Sequence, residues 1–310
     1  MGIIKPLLKW VGGKSQIIDD VLSLFPSEMN SYHEPFLGGG SVLLGLLSKA
    51  KEGAITVQGQ VLASDMNSHL IHLYKNVQQQ PDALIAELRE FVDQFRACSN
   101  GPVNRKPQSL QEAMDSREAY YYWMRKQFNN LPEQERSSPR ASAMMLFLNR
   151  TCFRGVYREG PNGFNVPYGN YKNPAILDEE HIAAVSALIK DVVFVTRPFA
   201  ASLAEVAPND FVYLDPPYAP ETDTSFVSYT ASGFDIESHK ELFQMCHNLR
   251  EQGTRLLMSN ADVKLVRDAF PTDRYTTRVI SCRRAINSKK PQSTTKEVLI
   301  MPISTSSQTL

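Results

Sequence analysis

Asp215-Pro216-Pro217-Tyr218 follows directly on the apolar run Phe211-Val212-Tyr213-Leu214. The run reads as a buried strand, so its end presents a carboxylate, stiff backbone carbonyls and an aromatic face in one place. That set suits methyl transfer to a planar exocyclic amine. Such an amine is a poor nucleophile because its lone pair is delocalised into the ring. Acceptors must draw it toward tetrahedral geometry and stabilise the positive charge it develops. Asp215 can accept one N–H and the Pro216 carbonyl the other. Proline, with its fixed φ and no donor, holds that acceptor near the attack geometry, and Tyr218 offers a stacking face worth about 1–3 kcal/mol per base at nucleic-acid sites. An Asp-Pro turn that only ends a strand would use the same residues. The same pattern beginning with Asn or Ser serves methylases of protein amides, RNA and cytosine. The tetrapeptide therefore gives a reaction type without a substrate.

A second set lies near the N-terminus. Glu34-Pro35-Phe36-Leu37-Gly38-Gly39-Gly40-Ser41 follows a strand candidate and precedes a helix. Glycines there let the backbone turn tightly and approach a ligand, although a simple strand-to-helix turn would also carry them. Asp65, about 25 residues past the loop, ends the next strand candidate, where an acidic group can bond ribose hydroxyls; it could also cap the helix that starts near Ser68. Lys9-Trp10-Val11-Gly12-Gly13-Lys14-Ser15 contains Gly-Lys-Ser, but the phosphate-loop spacing requires glycine at position 8, where Leu8 stands. Trp10 and Lys14 can instead cover an adenosine and meet a carboxylate.

Short β-rich segments position these residues: His33 to Phe36, Val61 to Ser64, Val192 to Thr196, Phe211 to Leu214 and Arg255 to Ser259. Helical patterns at Val42 to Lys49, Ser68 to Gln78 and Ser238 to Gln252 alternate with them, which predicts an α/β fold with a mostly parallel sheet covered on both faces. Tyr275 to Cys282 and Glu297 to Met301 predict a closing hairpin. Between Pro81 and Asn173 the alternation breaks. Helical stretches at Asp82 to Ala97, Ser116 to Asn129 and Ala141 to Asn149 lead into Arg150 to Tyr171, which is dense in Gly, Pro, Asn and aromatics. The expected division is a catalytic domain in two parts, 1–75 and 179–310, with an inserted domain at 76–178.

Composition fits a soluble globular chain: 310 residues, 42% apolar and 21% charged, with no run long enough to span a membrane and no signal-peptide stretch at the start. The expectation is a cytoplasmic protein. The four cysteines form no Cys-x-x-Cys pair and the six histidines no His-Glu-x-x-His, so no metal is expected. Net charge is zero, but the cations are clustered. Met1 to Gln16 carries three basic and no acidic side chains, Pro139 to Pro174 five and one, and Thr276 to Lys296 six and none. Brought together in space, these blocks would form the footprint a phosphate backbone requires.

The order Lys9-Trp10-x-Gly12-Gly13-Lys14, Glu34-Pro35-Phe36-x-Gly38-Gly39-Gly40, Asp65-Met66-Asn67, basic insert, Asp215-Pro216-Pro217-Tyr218 resembles the Dam-like, alpha-class family of DNA adenine-N6 methyltransferases over nearly the whole chain. Within the insert, Leu148 to Arg158 and Gly163 to Gly169 look like that family's target-recognition hairpin. The resemblance implies a seven-stranded, Rossmann-like methyltransferase sheet binding S-adenosylmethionine, with an inserted, mostly helical target-recognition domain acting on double-stranded DNA. It implies no membrane association and no obligate protein partner. Trp10, Lys14, Glu34, Phe36, Gly38, Gly40, Asp65 and Asp215 would hold the cofactor. Asp215, Pro216, Pro217 and Tyr218 would receive a flipped adenine. Lys9, Asn149, Arg150, Phe153, Arg154 and Arg158 would meet DNA, with Phe153 as wedge, Arg158 reading a guanine and GATC as the candidate sequence. Arg154 departs from an asparagine common in relatives. Arg283 to Lys290 resembles the family's basic loop beside the target strand, expected to order only on DNA. Two competing readings are an amine methylase of RNA or cytosine, opposed by the leading Asp and the basic hairpin, and a non-catalytic DNA-binding protein of the same fold, opposed by the intact Asp215 and Tyr218.

Overall fold

The computed structural model describes residues 2–219, 234–283 and 294–303. Its central sheet contains β1 (Tyr32–Glu34), β2 (Val61–Asp65), β3 (Val192–Thr196), β4 (Phe211–Leu214), β5 (Arg255–Ala261), β6 (Tyr275–Arg283) and β7 (Thr294–Pro302). Across the sheet the order is β6-β7-β5-β4-β1-β2-β3. The five strands from β3 to β5 run parallel, and β7 is antiparallel to both β5 and β6. The fold is thus α/β with a mostly parallel sheet.

Strand periodicity divides the core in two. Phe211, Tyr213, Leu257 and Leu299 enter one buried cluster, whereas Val212, Leu214, Leu256, Met258, Val298 and Ile300 enter another. Successive strand residues point to opposite faces, so these clusters lie on the two faces, and β4, buried at all four positions, reads as an unbroken apolar run. β1 ends at Glu34 instead of reaching Phe36, because Pro35 has no N–H to donate to a ladder. β5 and β7 run longer than their apolar cores, extended by pairing with each other and with β6.

The helices that bear on the site are α1 (Ser41–Lys51), α2 (Ser68–Gln79), α3 (Pro81–Ala97), α4 (Arg117–Asn129), α5 (Pro139–Thr151), α6 (Glu179–Leu188) and α7 (Ile236–Glu251). Side-chain caps start most of them: Asn67, Ser116, Ser138, Asp178 and Asp235 each accept a first-turn N–H. The helices after Pro81 have no core of their own. Phe91, Phe95, Tyr120, Tyr121 and Phe147 belong to the same buried cluster as Tyr32, Tyr74 and Tyr213. α2 ties the two regions, with Asn76 Nδ2 donating to the Ser137 carbonyl (2.9 Å) and to Ser142 Oγ (2.8 Å).

Beyond α5 the chain makes a 3-10 turn at Phe153–Gly155 and a minimal hairpin pairing Glu159–Gly160 with Gly163–Phe164. Asn129, the last residue of α4, clamps it: Nδ2 donates to the Phe164 carbonyl (2.9 Å) and Oδ1 accepts the Phe164 N–H (2.8 Å). Arg284 to Lys290 of the expected basic loop lie outside the described residues, as does the tail from Ser304.

Candidate active site at the carboxyl ends of β1 and β4

The chain leaves β1 toward β2 and β3 on one side, then returns to place β4 on the other. At such a switch point neighbouring loops diverge and open a crevice beyond the strand ends. The loops after β1 and β4 are the glycine segment and Asp215-Pro216-Pro217-Tyr218.

The glycine loop is fixed from three directions. Gly38 donates its N–H to Asp65 Oδ2 (3.0 Å), Leu37 donates to the Ser64 carbonyl (3.0 Å), and the Tyr74 hydroxyl donates to the Gly39 carbonyl (2.7 Å). Gly40 caps α1 at φ +71°, and a Cβ there would lie 2.4 Å from the Tyr74 hydroxyl oxygen, so only glycine fits. A Cβ on Gly39 would lie 2.7 Å from Trp10 Cβ, which places the indole over the loop.

Asp65 accepts the Gly38 N–H and, at 2.9 Å, the Asn67 N–H. It does not cap α2; Asn67 does, accepting the Leu70 N–H at 3.1 Å. Burial raises the Asp65 pKa against those backbone bonds, and each carboxylate oxygen keeps a lone pair for a ligand hydroxyl. Glu34 is buried and accepts from the Tyr32 hydroxyl at 2.7 Å. Burial, reinforced by Asp215 and Asp65, lifts its pKa to about 8 against Tyr32 and Lys14, so at neutral pH it is mainly protonated. Phe36 stacks on Phe199 (5.5 Å) and meets Phe234 edge-on (5.8 Å). A glycine cradle beside a carboxylate with spare acceptor capacity fits the ribose end of a nucleoside cofactor.

Lys14, 2% exposed, crosses the crevice. Its Nζ donates to Asp215 Oδ2 and to the Gly12 carbonyl, both at 2.7 Å, and lies 5.0 Å from the centre of the Tyr218 ring. Gly12, at φ +80°, sits third in the turn closed by Gly13 N–H to the Trp10 carbonyl (3.2 Å), the position that requires positive φ. Asp215 keeps about 20% of its side chain accessible. Burial raises its pKa to about 6; Lys14 opposes the rise and Glu297 adds to it.

The proline loop is held from behind. His239, packed edge-on against Phe234 at 4.7 Å, brings Nε2 to 3.1 Å from the Pro217 carbonyl. Asn260 Oδ1 accepts the Ala219 N–H at 3.0 Å. The Tyr218 hydroxyl donates to Glu297 Oε2 at 2.7 Å and lies 2.8 Å from Ser259 Oγ. Among the described residues, nothing donates to the Pro216 carbonyl.

The basic segments near the N-terminus and in the insert come together. Asn149 is buried; its Oδ1 accepts the Lys9 N–H (2.9 Å) and its Nδ2 donates to the carbonyls of Lys9 (2.8 Å) and Gly155 (3.1 Å). Arg150 donates to the Leu7 carbonyl at 2.6 Å. Both residues, expected at DNA, are thus turned inward, tying the N-terminal segment to the hairpin. Trp10 stacks on Tyr157 at 5.2 Å, and the Lys9 ammonium lies 5.2 Å from the Tyr171 ring centre. Phe153 is 49% exposed, with the Arg154 guanidinium 5.1 Å from its ring. Arg154 itself takes φ +59°, and exposed Arg158 donates to Asn165 Oδ1 at 2.6 Å. Of the third basic block, Arg278 pairs with Asp20 at 3.0 Å.

Sequence reasoning missed three parts of this arrangement. Ser259 ends the strand expected at Arg255 to Ser259, Asn260 lies just past it, and Glu297 opens the last expected strand; an acid opening an apolar strand is the one available signal. Arg105, Lys106, Arg125 and Lys126 line a cavity of about 350 Å³ reaching Asn162 at the hairpin tip. They fell outside every basic block counted along the chain.

The family model described as D12 class N6 adenine-specific DNA methyltransferase matches residues 10–285. Type II methyltransferase M.MjaIII of Methanocaldococcus jannaschii is 37% identical over 83% of this chain and 84% of its own length. The DNA adenine methylase of Escherichia coli K12 is 30% identical over 92% of this chain and 90% of its own. Type II methyltransferase M1.LlaDCHI of Lactococcus lactis is also 30% identical, over 86% and 84%.

Proposed function

The chain belongs to the D12 class of N6 adenine-specific DNA methyltransferases, and we propose that its crevice receives an adenine turned out of duplex DNA beside S-adenosylmethionine. The activity is methylation of adenine N6 in DNA. The observation that carries the finer reading is the meeting of Asp215, pinned through one oxygen by Lys14, with a Pro216 carbonyl that accepts from none of the described residues, beside the glycine cradle.

S-adenosylmethionine supplies an electrophilic methyl group. Gly38, Gly40 and Asp65 form its cradle, with Trp10, Phe36 and Lys14 around them and protonated Glu34 behind. Lys14 keeps Asp215 ionised and leaves Oδ1 to accept an amine N–H. The Pro216 carbonyl takes the second, and both acceptors stabilise charge growing on the nitrogen. Tyr218 presents its ring to the base.

The amine of a stacked adenine is out of reach, so the base must leave the duplex at a cost of a few kcal/mol. Phe153, exposed at the hairpin, is suited to fill the gap. Residues 76–178 are read as the target-recognition unit between 1–75 and 179–310, with Lys9, Arg154 and Arg158 contacting bases and the basic cavity at Arg105 and Lys126 suited to a backbone phosphate. Asn149 and Arg150 support that reader from inside.

Expression in a methylation-deficient bacterial host, followed by modified-base sequencing, tests the substrate and the sequence together. N6-methyladenine within GATC is expected; modification confined to other sequences would overturn the recognition reading. Increased emission from 2-aminopurine at the target position on enzyme binding is the expected sign of flipping, and unchanged emission opposes it.

A further inference from the structure

The Tyr218 hydroxyl faces away from chemistry. Burial, with Asp215 and Glu297 nearby, drives its pKa far above the ordinary tyrosine value, so it neither ionises nor shuttles a proton. Its proton goes to Glu297 Oε2 at 2.7 Å, and the buried Ser259 hydroxyl, 2.8 Å away, can then donate to the phenol oxygen. One acceptor is a carboxylate, which makes this a charge-assisted bond and a strong one.

These two anchors stand on regular secondary structure. β5 and β7 pair with Ser259 opposite Leu299 and Ala261 opposite Glu297. Ser259 and Glu297 are therefore diagonal neighbours on one sheet face, and the ladder sets their separation. Asn260, between Ser259 and Ala261, holds the next backbone N–H of the loop, that of Ala219. The sheet thus grips the loop at a side chain and at the backbone one residue later. The phenol oxygen lies at the end of the ring's Cβ–Cζ axis, so bonds to it fix the direction of that axis.

We propose that Glu297 and Ser259 are positioning residues for methyl transfer: through the Tyr218 hydroxyl they fix the axis, and so the place, of the ring that the acceptor base rests on, and with it the approach of its amine to Asp215 and Pro216. The inference rests on the reading of Tyr218 as the base-facing ring. It assigns the phenol hydroxyl an anchoring role and the ring the contact with substrate.

A double-mutant cycle tests it. Glu297→Ala is expected to lower kcat about tenfold at saturating DNA and cofactor, the scale of one lost charged hydrogen bond, with KM for DNA changed far less. Glu297→Gln, which keeps an acceptor, should recover part of the loss. Tyr218→Phe should match Glu297→Ala, and Glu297→Ala should add little in the Tyr218→Phe background. A full, independent loss in that background overturns the proposal. So does a Glu297→Ala protein that melts lower while keeping its kcat, because the carboxylate would then only stabilise the sheet. The underlying reading has its own control: Tyr218→Ala should raise the emission of 2-aminopurine at the target position by removing the stacked ring. If emission matches that of the unsubstituted enzyme, the base-facing reading and the proposal both fall; if it rises while the cycle is additive, only the proposal falls.

Discussion

The crevice beyond β1 and β4 and the hairpin after α5 are built on opposite terms. In the crevice, Lys14, Asp65, Asp215 and Tyr218 are each bonded to a partner on another segment and Glu34 to Tyr32 in its own strand, and burial raises the pKa of both Glu34 and Asp215. Around the hairpin, Phe153 and Arg154 stand exposed on a turn with positive φ at Arg154 and Gly155, and Arg158 stands exposed just past it. Their support lies one layer down, in Asn129 and Asn149. The difference fits the tasks proposed for the two regions. Charge developing on a nitrogen is stabilised by acceptors that need not reorganise, whereas side chains proposed to read base edges must stand at a surface that a groove can meet.

If that division holds, damage to the crevice should abolish turnover and leave DNA binding, and damage to the hairpin should do the reverse. The largest expected effect is that of Asp215→Ala: a fall in kcat of about a thousandfold, on the scale of losing a preorganised charge-stabilising group, with DNA affinity nearly retained. Labelled-methyl incorporation and a binding titration measure the two. Loss of affinity in proportion to kcat would break the contrast.

Arg158→Ala comes next. Losing one bidentate base contact should weaken cognate binding by about 1–3 kcal/mol, or roughly ten- to a hundredfold, and relax discrimination at one base pair while kcat at saturation stays near that of the unsubstituted enzyme. Competition between matched and single-mismatch duplexes checks it; uniform weakening across all sequences would make Arg158 a phosphate contact.

Acidification should silence the crevice first. Asp215 offsets positive charge on the amine only when ionised, so single-turnover rates should rise with pH through about 6 and fall about tenfold per unit well below it. DNA binding followed in parallel should not share that midpoint.

The last effect concerns stability and leaves turnover aside. The folded pKa of Glu34 lies above its ordinary 4.5, at about 8. A group raised in this way stabilises the fold fully below its unfolded pKa, and that contribution is lost as pH rises through the folded value. The melting temperature should therefore decline between about pH 4.5 and 8 in the wild type more than in Glu34→Gln, with the variant gaining ground at the alkaline end. Parallel melting curves across that range would expose Glu34 as ionised in the fold.

Much of this was legible along the chain. Val192–Thr196 and Phe211–Leu214 fall where composition put strands, and α2, α4 and α5 begin beside the residues that cap them. Such elements follow from neighbours within a few positions, and so does the tetrapeptide whose carboxylate, carbonyl and ring share one loop. The texture that sets residues 76–178 apart along the chain does not report packing, and the helices there share a buried cluster with the sheet.

The sequence by itself determined the reaction type, the glycine cradle and the mostly parallel sheet, because periodicity, backbone freedom and side-chain chemistry are local properties. Only the tertiary structure decided that Lys14 would meet Asp215 across 201 positions, that the Tyr218 hydroxyl would meet Glu297 across 79, and that buried Asn149 would tie Lys9 to Gly155. These partners depend on which strands lie side by side, and strand order is set by how whole elements bury their apolar faces together.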